Sequence, residues 1–465
     1  MRQLNELAQS PKSEFVAVYG RRRVGKTFLI REAFGYQFDF QLTGLANAST
    51  RQQLFAFHTA LERQSPLYFA APPENWLVAF GRLIDHLEQR GTDTRKVVFI
   101  DEMPWLDTRG SDFLMALEHF WNSWASNRRD VLLIACGSAA SWMRNALINH
   151  PGGLHNRLTH QLKIDPFCLN EVEAFLASKN CVLDRYQLVQ LYMALGGIPY
   201  YLDAVRPGWS AAQAIQNLLF SPRGLLHNEF FNLYRSLFRK HEVYEKVVAA
   251  LATRTVGLQR QDIIRQTGLA SGGTLTNVLT DLEESGFIRS YTAFDETGKN
   301  IIYRLADYYT AFFFRFIDGQ RNRTDNYWLN QTDSPAVRAW HGFAFEQVCM
   351  DHTRQIKRAL GIEGVASRET AWRGKTTEKA AQIDLLIDRR DQVINLCECK
   401  FSLNPFVIDK AYAGQLRDKI GVFRQATKTR KSVFLTMLTT FGVERNAYAT
   451  GLVQNEVMLD DLFIS

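Results

Sequence analysis

The stretch that most constrains the fold is an apolar run that leads into a glycine-rich loop, FVAVYGRRRVGKT at residues 15–27. Its last eight residues fit the pattern G-x-x-x-x-G-K-[ST], and the segment FLIREAF that follows is typical of a helix. Gly20 and Gly25 let the loop turn so that successive backbone N–H groups point at a phosphate, and the start of the helix adds its positive end. A strand, this loop and a helix in that order predict a nucleotide site rather than an ordinary glycine-rich turn.

Two side chains of the loop have chemistry suited to a nucleotide and its metal. The Lys26 ammonium would reach the β- and γ-phosphates, and the Thr27 hydroxyl would hold Mg²⁺. We expect the nucleotide to contact the whole loop and the start of the helix, so the predicted binding residues here are Gly20, Arg21, Arg22, Arg23, Val24, Gly25, Lys26, Thr27 and Phe28.

Composition excludes several classes of protein. The length of 465 residues suggests roughly three domains, and the hydrophobic content of 46% is that of a globular protein. No run approaches the ~20 apolar residues of a membrane span, so no membrane partner is expected. The start MRQLNELAQS lacks the apolar stretch of a secretion signal, and the six cysteines have no metal or disulfide spacing. These features predict a cytoplasmic protein with reduced thiols. The net charge of +7 permits a polyanionic partner without requiring one.

A second apolar strand, from Lys96, ends in the pair Asp101-Glu102. This is the Walker B pattern, in which Asp101 would orient the Mg²⁺ shell and Glu102 would polarise the attacking water. A strand that ends in a solvated acidic turn is a common alternative, and the glycine-rich loop upstream favours the catalytic interpretation.

Further along, residues 39–92 are mostly helical in pattern. A third buried strand, which starts at Val131, ends at Gly137-Ser138, where a small polar residue is equally typical of a plain turn. After a Pro-Gly-Gly break at 151–153, Arg157 precedes a short strand and is a candidate arginine finger or sensor arginine. A surface arginine at the end of a helix is the alternative. Strands that alternate with helices through residue 168 predict a parallel α/β sheet, with the phosphates at the carboxyl ends of its strands.

Residues 169–240 are helical in pattern and contain GGIPYYL at 196–202. Without a ligand, a Gly-Gly-x-Pro turn is simply the end of one helix and the start of the next.

Five segments follow one another along the chain: GRRRVGKT, FIDE, the strand ending in Gly-Ser, the Arg157 segment that ends in DPF, and GGIPYYL. In this the chain resembles the archaeal-type P-loop ATPases of the STAND/AAA+ group. The resemblance implies ATP with Mg²⁺ as the cofactors, an ATPase core at 1–168 and a helical lid at 169–240. It implies that Ser138 senses the γ-phosphate, that Pro199 contacts the nucleotide from the lid, and that the protein forms homo-oligomers if Arg157 acts in trans. In this family a segment ahead of the first helix contacts adenine, and this chain begins at that helix, so no residue is assigned to the base.

In residues 241–330 the pattern changes from helices alone to helices followed by strands. Three helical segments precede the strand-like GFIRSYTAF, a polar turn at 295–300 and IIYRLAD, an order that predicts a winged helix-turn-helix and a linker. The third helix ends in DLEES, and acidic residues repel phosphate, so both DNA contact and protein–protein contact remain open for this domain.

Residues 335–465 show the order α-β-β-β-α-β, the core of the PD-(D/E)XK nuclease fold. The order also resembles the C-terminal domain of unknown function that follows the winged helix in this ATPase family. The predicted fold class is therefore α/β multidomain: an AAA+-like P-loop core with a parallel sheet, a helical lid, a winged helix-turn-helix and a C-terminal domain similar to restriction endonucleases.

The C-terminal strands carry a readable chemical pattern. On a strand, Glu398 and Lys400 face one side while Cys397 and Cys399 face the other, and Asp384 interrupts the apolar run IDLLID of the neighbouring strand. Asp384 and Glu398 would hold Mg²⁺, and Lys400 would orient water or stabilise the transition-state phosphate. In addition, Glu346 on the preceding helix resembles the further acidic member of the nuclease set. Ordinary salt bridges on a strand are the alternative.

Two classes of function follow. The first is an ATP-dependent switch or motor coupled to a nuclease-like site that acts on DNA or RNA. The second is a regulatory ATPase whose winged helix and C-terminal domain bind partners without cleavage. A DNA-tethered regulator is a third hypothesis, and the acidic DLEES ending counts against it.

Overall fold

The structure of the chain is a computed structural model that describes residues 1–91, 94–148, 157–238, 240–292, 294, 301–319, 326–375 and 379–464. It divides into two compact units. The first unit contains Met1–Pro166, Leu233–His241 and Thr276–Gly286, and the second contains Phe167–Asn232, Glu242–Leu275 and Phe287–Ser465. The predicted break at 151–153 and the predicted polar turn at 295–300 lie outside the described residues.

A parallel sheet forms the centre of the first unit. Its strands are β1 (Glu14–Tyr19), β2 (Phe40–Thr43), β3 (Lys96–Asp101), β4 (Val131–Gly137) and β5 (His160–Lys163). Among the residues described, these strands pair in the order β2-β3-β4-β1-β5, and every pair is parallel. The predicted parallel α/β core is confirmed. The prediction of a mostly helical segment at 39–92 missed β2, a four-residue strand at the edge of the sheet.

Helices cover both faces of this sheet, which is why its inner strands are continuous apolar runs. The helices are α1 (Arg2–Ala8), α2 (Lys26–Ala33), α3 (Thr50–Gln64), α4 (Trp76–Glu88), α5 (Phe113–His119) and α6 (Ala140–Trp142). On one face Trp76 of α4 packs edge-on against Phe57 and Phe113, with ring centroids 5.9 and 4.9 Å away. On the other face Ile30 of α2 belongs to a smaller buried cluster that includes Leu4 of α1.

The second unit begins with the helices of the predicted lid. The helices up to the second sheet are α7 (Leu169–Ser178), α8 (Arg185–Leu195), α9 (Pro199–Leu202), α10 (Ala211–Ile215), α11 (Glu229–Leu237), α12 (His241–Ala252), α13 (Arg260–Thr267) and α14 (Gly273–Glu284). Of these, α11, α12 and α14 have residues in both units.

Two further sheets occur in the described part of the second unit. The smaller one joins β6 (Leu258–Gln259), β7 (Ile288–Thr292) and β8 (Ile301–Leu305) in the antiparallel order β6-β8-β7. The larger one has the order β13-β12-β11-β10-β9, and its strands are β9 (Ser367–Lys375), β10 (Ala380–Arg389), β11 (Val393–Lys400), β12 (Ser432–Thr439) and β13 (Asn455–Met458).

The remaining helices of this unit are α15 (Tyr308–Phe312), α16 (Pro335–Asp351), α17 (Thr353–Ala359), α18 (Lys410–Thr427) and α19 (Ala447–Thr450). Strands β9, β10 and β11 pair antiparallel, whereas β11 and β12 run parallel and are connected by α18. The chain is thus an α/β multidomain protein with a P-loop core and additional sheets. None of the helices described is both long and apolar enough to cross a membrane.

Candidate functional site

The glycine-rich loop connects the carboxyl end of β1 to the start of α2. Gly20 has φ +143°, and a Cβ atom added there would lie 2.2 Å from the carbonyl oxygen of Ile164, just beyond β5. Gly25, the residue before α2, has φ +85°. Both positions favour glycine, the first because of space and the second because of backbone conformation. They set the curvature of the loop.

The Lys26 ammonium is folded back into the loop. Its Nζ donates hydrogen bonds to the carbonyl oxygens of Gly20 (3.0 Å) and Arg21 (2.9 Å) and to the hydroxyl of Ser138 (3.2 Å). The residue is only 5% exposed, and burial lowers the pKa of its ammonium group. A buried cation held by neutral oxygens is well placed to gain from an arriving phosphate.

Thr27 and Asp101 form the second contact of the loop. The Thr27 hydroxyl donates to Asp101 Oδ2 (2.9 Å), and the Glu102 amide donates to Asp101 Oδ1 (3.0 Å). Asp101 ends β3 and is buried. A hydroxyl and a carboxylate together offer the hard oxygen atoms that Mg²⁺ prefers, so this pair fits the metal that the sequence predicts.

Ser138 connects the loop to Glu102. Its hydroxyl donates to Glu102 Oε1 (2.9 Å) while accepting from Lys26, and its amide lies 3.4 Å from Glu102 Oε2. Glu102 has φ +46°, an uncommon backbone conformation for a residue with a side chain. Lys26, Thr27, Asp101, Glu102 and Ser138 therefore meet at the carboxyl ends of β1, β3 and β4.

The other predicted loop residues lie around this network. Arg22 Nη1 donates to the carbonyl oxygen of Ser236 (3.4 Å), and Arg23 has φ +72°. Arg21 and Val24 are buried.

Two predicted residues of the first unit are not members of the network, and a third belongs to the second unit. Phe28 is 65% exposed on α2. Arg157 is exposed and lies just before β5, the edge strand beside β1. Pro199 belongs to the second unit, where it is the first residue of α9.

The turn before Pro199 has a structural role of its own. The Phe167 amide donates to the carbonyl oxygen of Gly197 (2.7 Å), and a Cβ added to Gly197 would lie 1.8 Å from the carbonyl oxygen of Phe167. This close approach explains the glycine without any ligand, so contact between Pro199 and a nucleotide stays a prediction.

Strands β10 and β11 bring the predicted metal residues of the second unit together. The two strands pair antiparallel up to Leu385 and Cys397, so Asp384 and Glu398 come next on adjacent strands. The pairing of β10 with β9 shifts between Ile383 and Leu386. At this irregular point Asp384 Oδ2 accepts a hydrogen bond from the Cys399 amide (3.2 Å).

Glu398 is buried and surrounded by donors. Its carboxylate contacts Lys400 Nζ (3.1 Å), Lys419 Nζ (2.6 Å) and the Tyr412 hydroxyl (2.6 Å). Burial alone would raise the pKa of Glu398, but the charges of Lys419 and Lys400 hold it below the usual value.

The two other acidic residues are shifted in the opposite direction. Burial and the charge of Glu398 raise the pKa of Asp384 to about 6. Burial and the charge of Asp384 raise the pKa of Glu346, on α16, to about 8. Glu346 Oε2 lies 4.0 Å from Arg304 Nη2. Such shifts are expected where several carboxyl groups share a poorly solvated site.

Two cations lie against one member of this cluster, because Lys400 and Lys419 both contact the Glu398 carboxylate. Within the described ranges, no three acidic, histidine or cysteine side chains are arranged to hold a metal ion. Sequence reasoning missed Tyr412 and Lys419, whose spacing of seven residues places them on one face of α18. That spacing was the available signal, although only the packing of α18 shows that this face meets Glu398.

Comparison with known proteins adds to this geometry. Residues 1–205 match a family described as an ATPase domain predominantly from Archaea. This part of the chain is therefore similar to archaeal-type ATPase domains.

Other similarities cover more of the chain than residues 1–205. "Uncharacterized protein MJECL04" of Methanocaldococcus jannaschii is 25% identical over 375 residues, which cover 77% of this chain and 76% of the relative. The Walker-type ATPase PABY2304 of Pyrococcus abyssi has a TM-score of 0.48 and 20% identity, over 68% of this chain and 94% of that one. The Aeropyrum pernix ORC2 protein, in ADPNP–ADP complexes, has a TM-score of 0.40 and 14% identity, over 66% and 88% of the respective chains.

Proposed function

We propose that the protein is an ATP-driven switch whose first unit binds and hydrolyses ATP with Mg²⁺ and whose second unit carries a nuclease-like site for nucleic acid. The observation that carries the ATPase half is the network of Lys26, Thr27, Asp101, Glu102 and Ser138 at the ends of three adjacent parallel strands. Thr27 and Asp101 suit the metal, and Lys26 and Ser138 suit the γ-phosphate. Glu102 suits the attacking water.

Each residue of the network has a definite task in this proposal. Lys26 exchanges its loop carbonyl partners for phosphate oxygens, and Thr27 with Asp101 holds Mg²⁺, which neutralises phosphate charge when bound. Glu102 accepts a proton from the attacking water. The Ser138 hydroxyl contacts both Glu102 and Lys26 and so fixes the positions of these two side chains relative to each other.

Arg157 is proposed as an arginine finger that acts on the nucleotide of a second copy of the chain. Its exposure beside the edge strand β5 suits such a role. Arg157→Ala should then abolish hydrolysis while ATP binding is kept, and loss of binding would argue against a finger. Pro199 is proposed to contact the nucleotide from the lid.

In the second unit we propose a site for phosphodiester cleavage. Asp384 and Glu398 would hold Mg²⁺, Glu346 would be the further acidic residue beside them, and Lys400 would orient the water or stabilise the transition-state charge. The support is that these groups cluster at one bulged end of β10 and β11, and that the pKa values of Asp384 and Glu346 are raised. Lid movement between ATP and ADP states would couple the two halves.

The alternative is a regulatory ATPase whose second unit only binds partners. A specific observation favours it, because both oxygens of Glu398 are already engaged by Lys419, Lys400 and Tyr412. A carboxylate paired in this way can serve structure alone.

The deciding experiment is Mg²⁺- or Mn²⁺-dependent cleavage of a panel of single- and double-stranded DNA and RNA. Wild type is compared with Asp384→Asn, with Glu398→Gln and with Asp388→Asn, a matched control whose carboxylate pairs with Lys431 instead (2.6 Å). Cleavage that disappears in the first two variants and persists in the third supports the nuclease. Absence of cleavage from wild type, with ATP hydrolysis intact, selects the regulatory alternative.

A further inference from the structure

Three adjoining cavities of the second unit lead to and past Asp384. The aromatic cavity, about 500 Å³, is lined by residues that include Phe314, Trp340 and Phe343. The arginine cavity, about 220 Å³, contains both Glu346 and Asp384 in its wall. The helix cavity, about 530 Å³, lies along α18 on the other side of Asp384.

Shared residues show that the cavities form one path. Arg254 and Arg304 line both the aromatic and the arginine cavity, and Gln382 and Asp384 line both the arginine and the helix cavity. We call this path the groove. The carboxylate of Asp384 lies part-way along it, with an aromatic section at one end and α18 at the other.

Arg304 is the residue of the groove that most needs a ligand. It is 9% exposed, and within the described residues neither its Nε nor its Nη2 atom has a hydrogen-bond acceptor. Its Nη1 atom lies 3.6 Å from Met350 Sδ, a weak acceptor, and the guanidinium sits 4.9 Å from the centre of the Phe343 ring. The Glu346 carboxylate lies 4.0 Å from Nη2, beyond hydrogen-bond distance. A phosphate matches the planar fork of the guanidinium and would satisfy the donors that remain open.

Other cations continue the path from Arg304. Arg254 and Arg373 are exposed on the walls of the arginine cavity, and Arg373 Nη2 is oriented by Gln382 Oε1 (2.8 Å). The helix cavity carries Lys379 and Lys419, which pair with Asp418 (2.8 Å) and Glu398 (2.6 Å). Cationic side chains thus occur in each section of the groove, where a chain of phosphates would meet them one after another.

The aromatic section indicates what accompanies the phosphates. Phe314 and Phe343 are half-buried, so part of each ring faces the cavity. Aromatic rings beside arginines form stacking platforms for unpaired bases, worth about 1–3 kcal/mol per base. The volume of the aromatic cavity, about 500 Å³, lies within the range of pockets that hold single drug-sized ligands, about 300–1,000 Å³, and suits an unpaired nucleotide better than a duplex.

We propose that the groove binds an unpaired nucleic-acid strand, with its bases against Phe314 and Phe343 and its phosphates on Arg254, Arg304 and Arg373. The strand then passes Asp384 and continues along α18. The placement of the cleavage chemistry on this strand rests on the proposed function, whereas binding in the groove does not. DNA and RNA strands share the chemistry that the groove recognises.

The test measures fluorescence anisotropy of labelled single-stranded DNA, single-stranded RNA and duplex DNA with the full chain, in EDTA so that no cleavage occurs. Wild type should bind one or both single strands at least tenfold more tightly than duplex. Arg254→Glu should weaken strand binding at least tenfold and reduce the salt slope by about 0.7, because one phosphate is no longer neutralised. Phe314→Ala should weaken binding severalfold and leave the salt slope unchanged.

Arg445→Glu is the matched control, because Arg445 is exposed in the same unit and lines none of these cavities. It should bind within twofold of wild type. Arg304→Gln should also weaken strand binding, but Arg304 is buried. If the Arg304→Gln variant does not fold, the result with the exposed residue Arg254 decides the outcome. Equal or tighter binding of duplex, or wild-type binding by both Arg254→Glu and Phe314→Ala, would overturn the proposal.

The two proposals fail in different ways. Cleavage of duplex that is unaffected by Arg254→Glu would contradict strand binding in the groove and would still agree with the proposed nuclease activity. Strand binding that depends on Arg254, without cleavage in Mg²⁺, would support binding in the groove and contradict the proposed nuclease activity.

Discussion

At the scale of single residues, Ser138 joins two side chains with different tasks in the proposed ATPase. Its hydroxyl accepts from Lys26 and donates to Glu102 (3.2 and 2.9 Å). Ser138→Ala should lower the rate of ATP hydrolysis by roughly 10- to 100-fold, because Glu102 loses the donor that holds it. ATP affinity should change little, since Lys26 can still exchange its carbonyl partners for phosphate oxygens without this hydroxyl. Steady-state hydrolysis and equilibrium binding of ATP separate the two effects.

Ser123→Ala is the control for that prediction. Ser123 is an exposed serine of the same unit, and its hydroxyl bonds only within its own helix, to the His119 carbonyl oxygen (2.6 Å). It should hydrolyse ATP at the wild-type rate. Equal rates for Ser138→Ala and wild type would show that Glu102 does not depend on this hydroxyl.

Asp130 provides a residue-scale prediction about stability. Burial raises the pKa of Asp130, but hydrogen bonds from Arg128 and Lys96 outweigh it and bring the pKa to about 2. A carboxyl group with a lowered pKa stabilises the fold at pH values above its ordinary pKa, and this contribution is lost as pH falls towards 2. Asp130→Asn should therefore reduce the free energy of unfolding by about 2 kcal/mol at pH 7.

Urea unfolding at several pH values checks this prediction. The difference between wild type and Asp130→Asn should shrink between pH 4 and pH 2, and a difference that stays constant over that range would contradict it. Asp165→Asn is the control, because the pair of Asp165 with Lys163 is exposed and should contribute under about 1 kcal/mol.

At the scale of elements, the unit β1–loop–α2 depends on the contact of Gly20 with the chain beyond β5. Gly20→Ala would place a Cβ 2.2 Å from the Ile164 carbonyl oxygen, so the loop or the β5 segment must move. Gly25 has φ +85° and nothing within 4 Å of an added Cβ, so Gly25→Ala introduces only backbone strain, on the order of 1 kcal/mol. Thermal unfolding should show the larger loss of stability for Gly20→Ala, and ATP binding should be weakened more. The reverse order would contradict the packing of the loop on β5.

Helix α18 is the element that decides how available Glu398 is. Lys419 Nζ lies 2.6 Å from Glu398 Oε2 and competes with any metal ion for that oxygen. Lys419→Gln should therefore bind Mn²⁺ several times more tightly than wild type, while Glu398→Gln should lose the binding. Calorimetric titration measures both. Unchanged Mn²⁺ affinity in the two variants would contradict a metal role for Glu398.

The elements also show what the sequence reveals and what it does not. The strands at Phe15, Val97 and Val131 are predictable because apolar runs end in glycine or acidic residues, and the loop motif gives their common ligand. By contrast, β2 is only four residues long and lies at the edge of its sheet, where the apolar signal is weak.

The same distinction holds for the sites. Glu398, Lys400 and Asp384 are predictable because a strand alternates its faces and a charge in an apolar run is conspicuous. The contact of Lys419 with Glu398 is tertiary, so no local pattern reports it. Arg304 is likewise unremarkable in sequence, and attention is drawn to it only by two buried atoms, Nε and Nη2, that have no hydrogen-bond acceptor in the part of the chain that the structure describes.

At the scale of the whole molecule, helices α7 to α10 of the predicted lid belong to the same compact unit as the C-terminal sheet. The Leu169 amide donates to His352 Nε2 (3.1 Å), and the Tyr186 ring stacks on Phe401 with centroids 4.6 Å apart. Local sequence patterns define the helices but not the partner on which they pack. The proposed switch therefore acts through a body that contains both these helices and the strands of Asp384 and Glu398.

The most direct test of the proposed switch measures cleavage of a labelled unpaired strand in Mg²⁺, with and without ATP. We expect ATP to change the cleavage rate of wild type severalfold and to leave that of Lys26→Ala unchanged, while Glu398→Gln does not cleave. A wild-type rate that is the same with and without ATP would contradict coupling between the ATPase domain and the second unit.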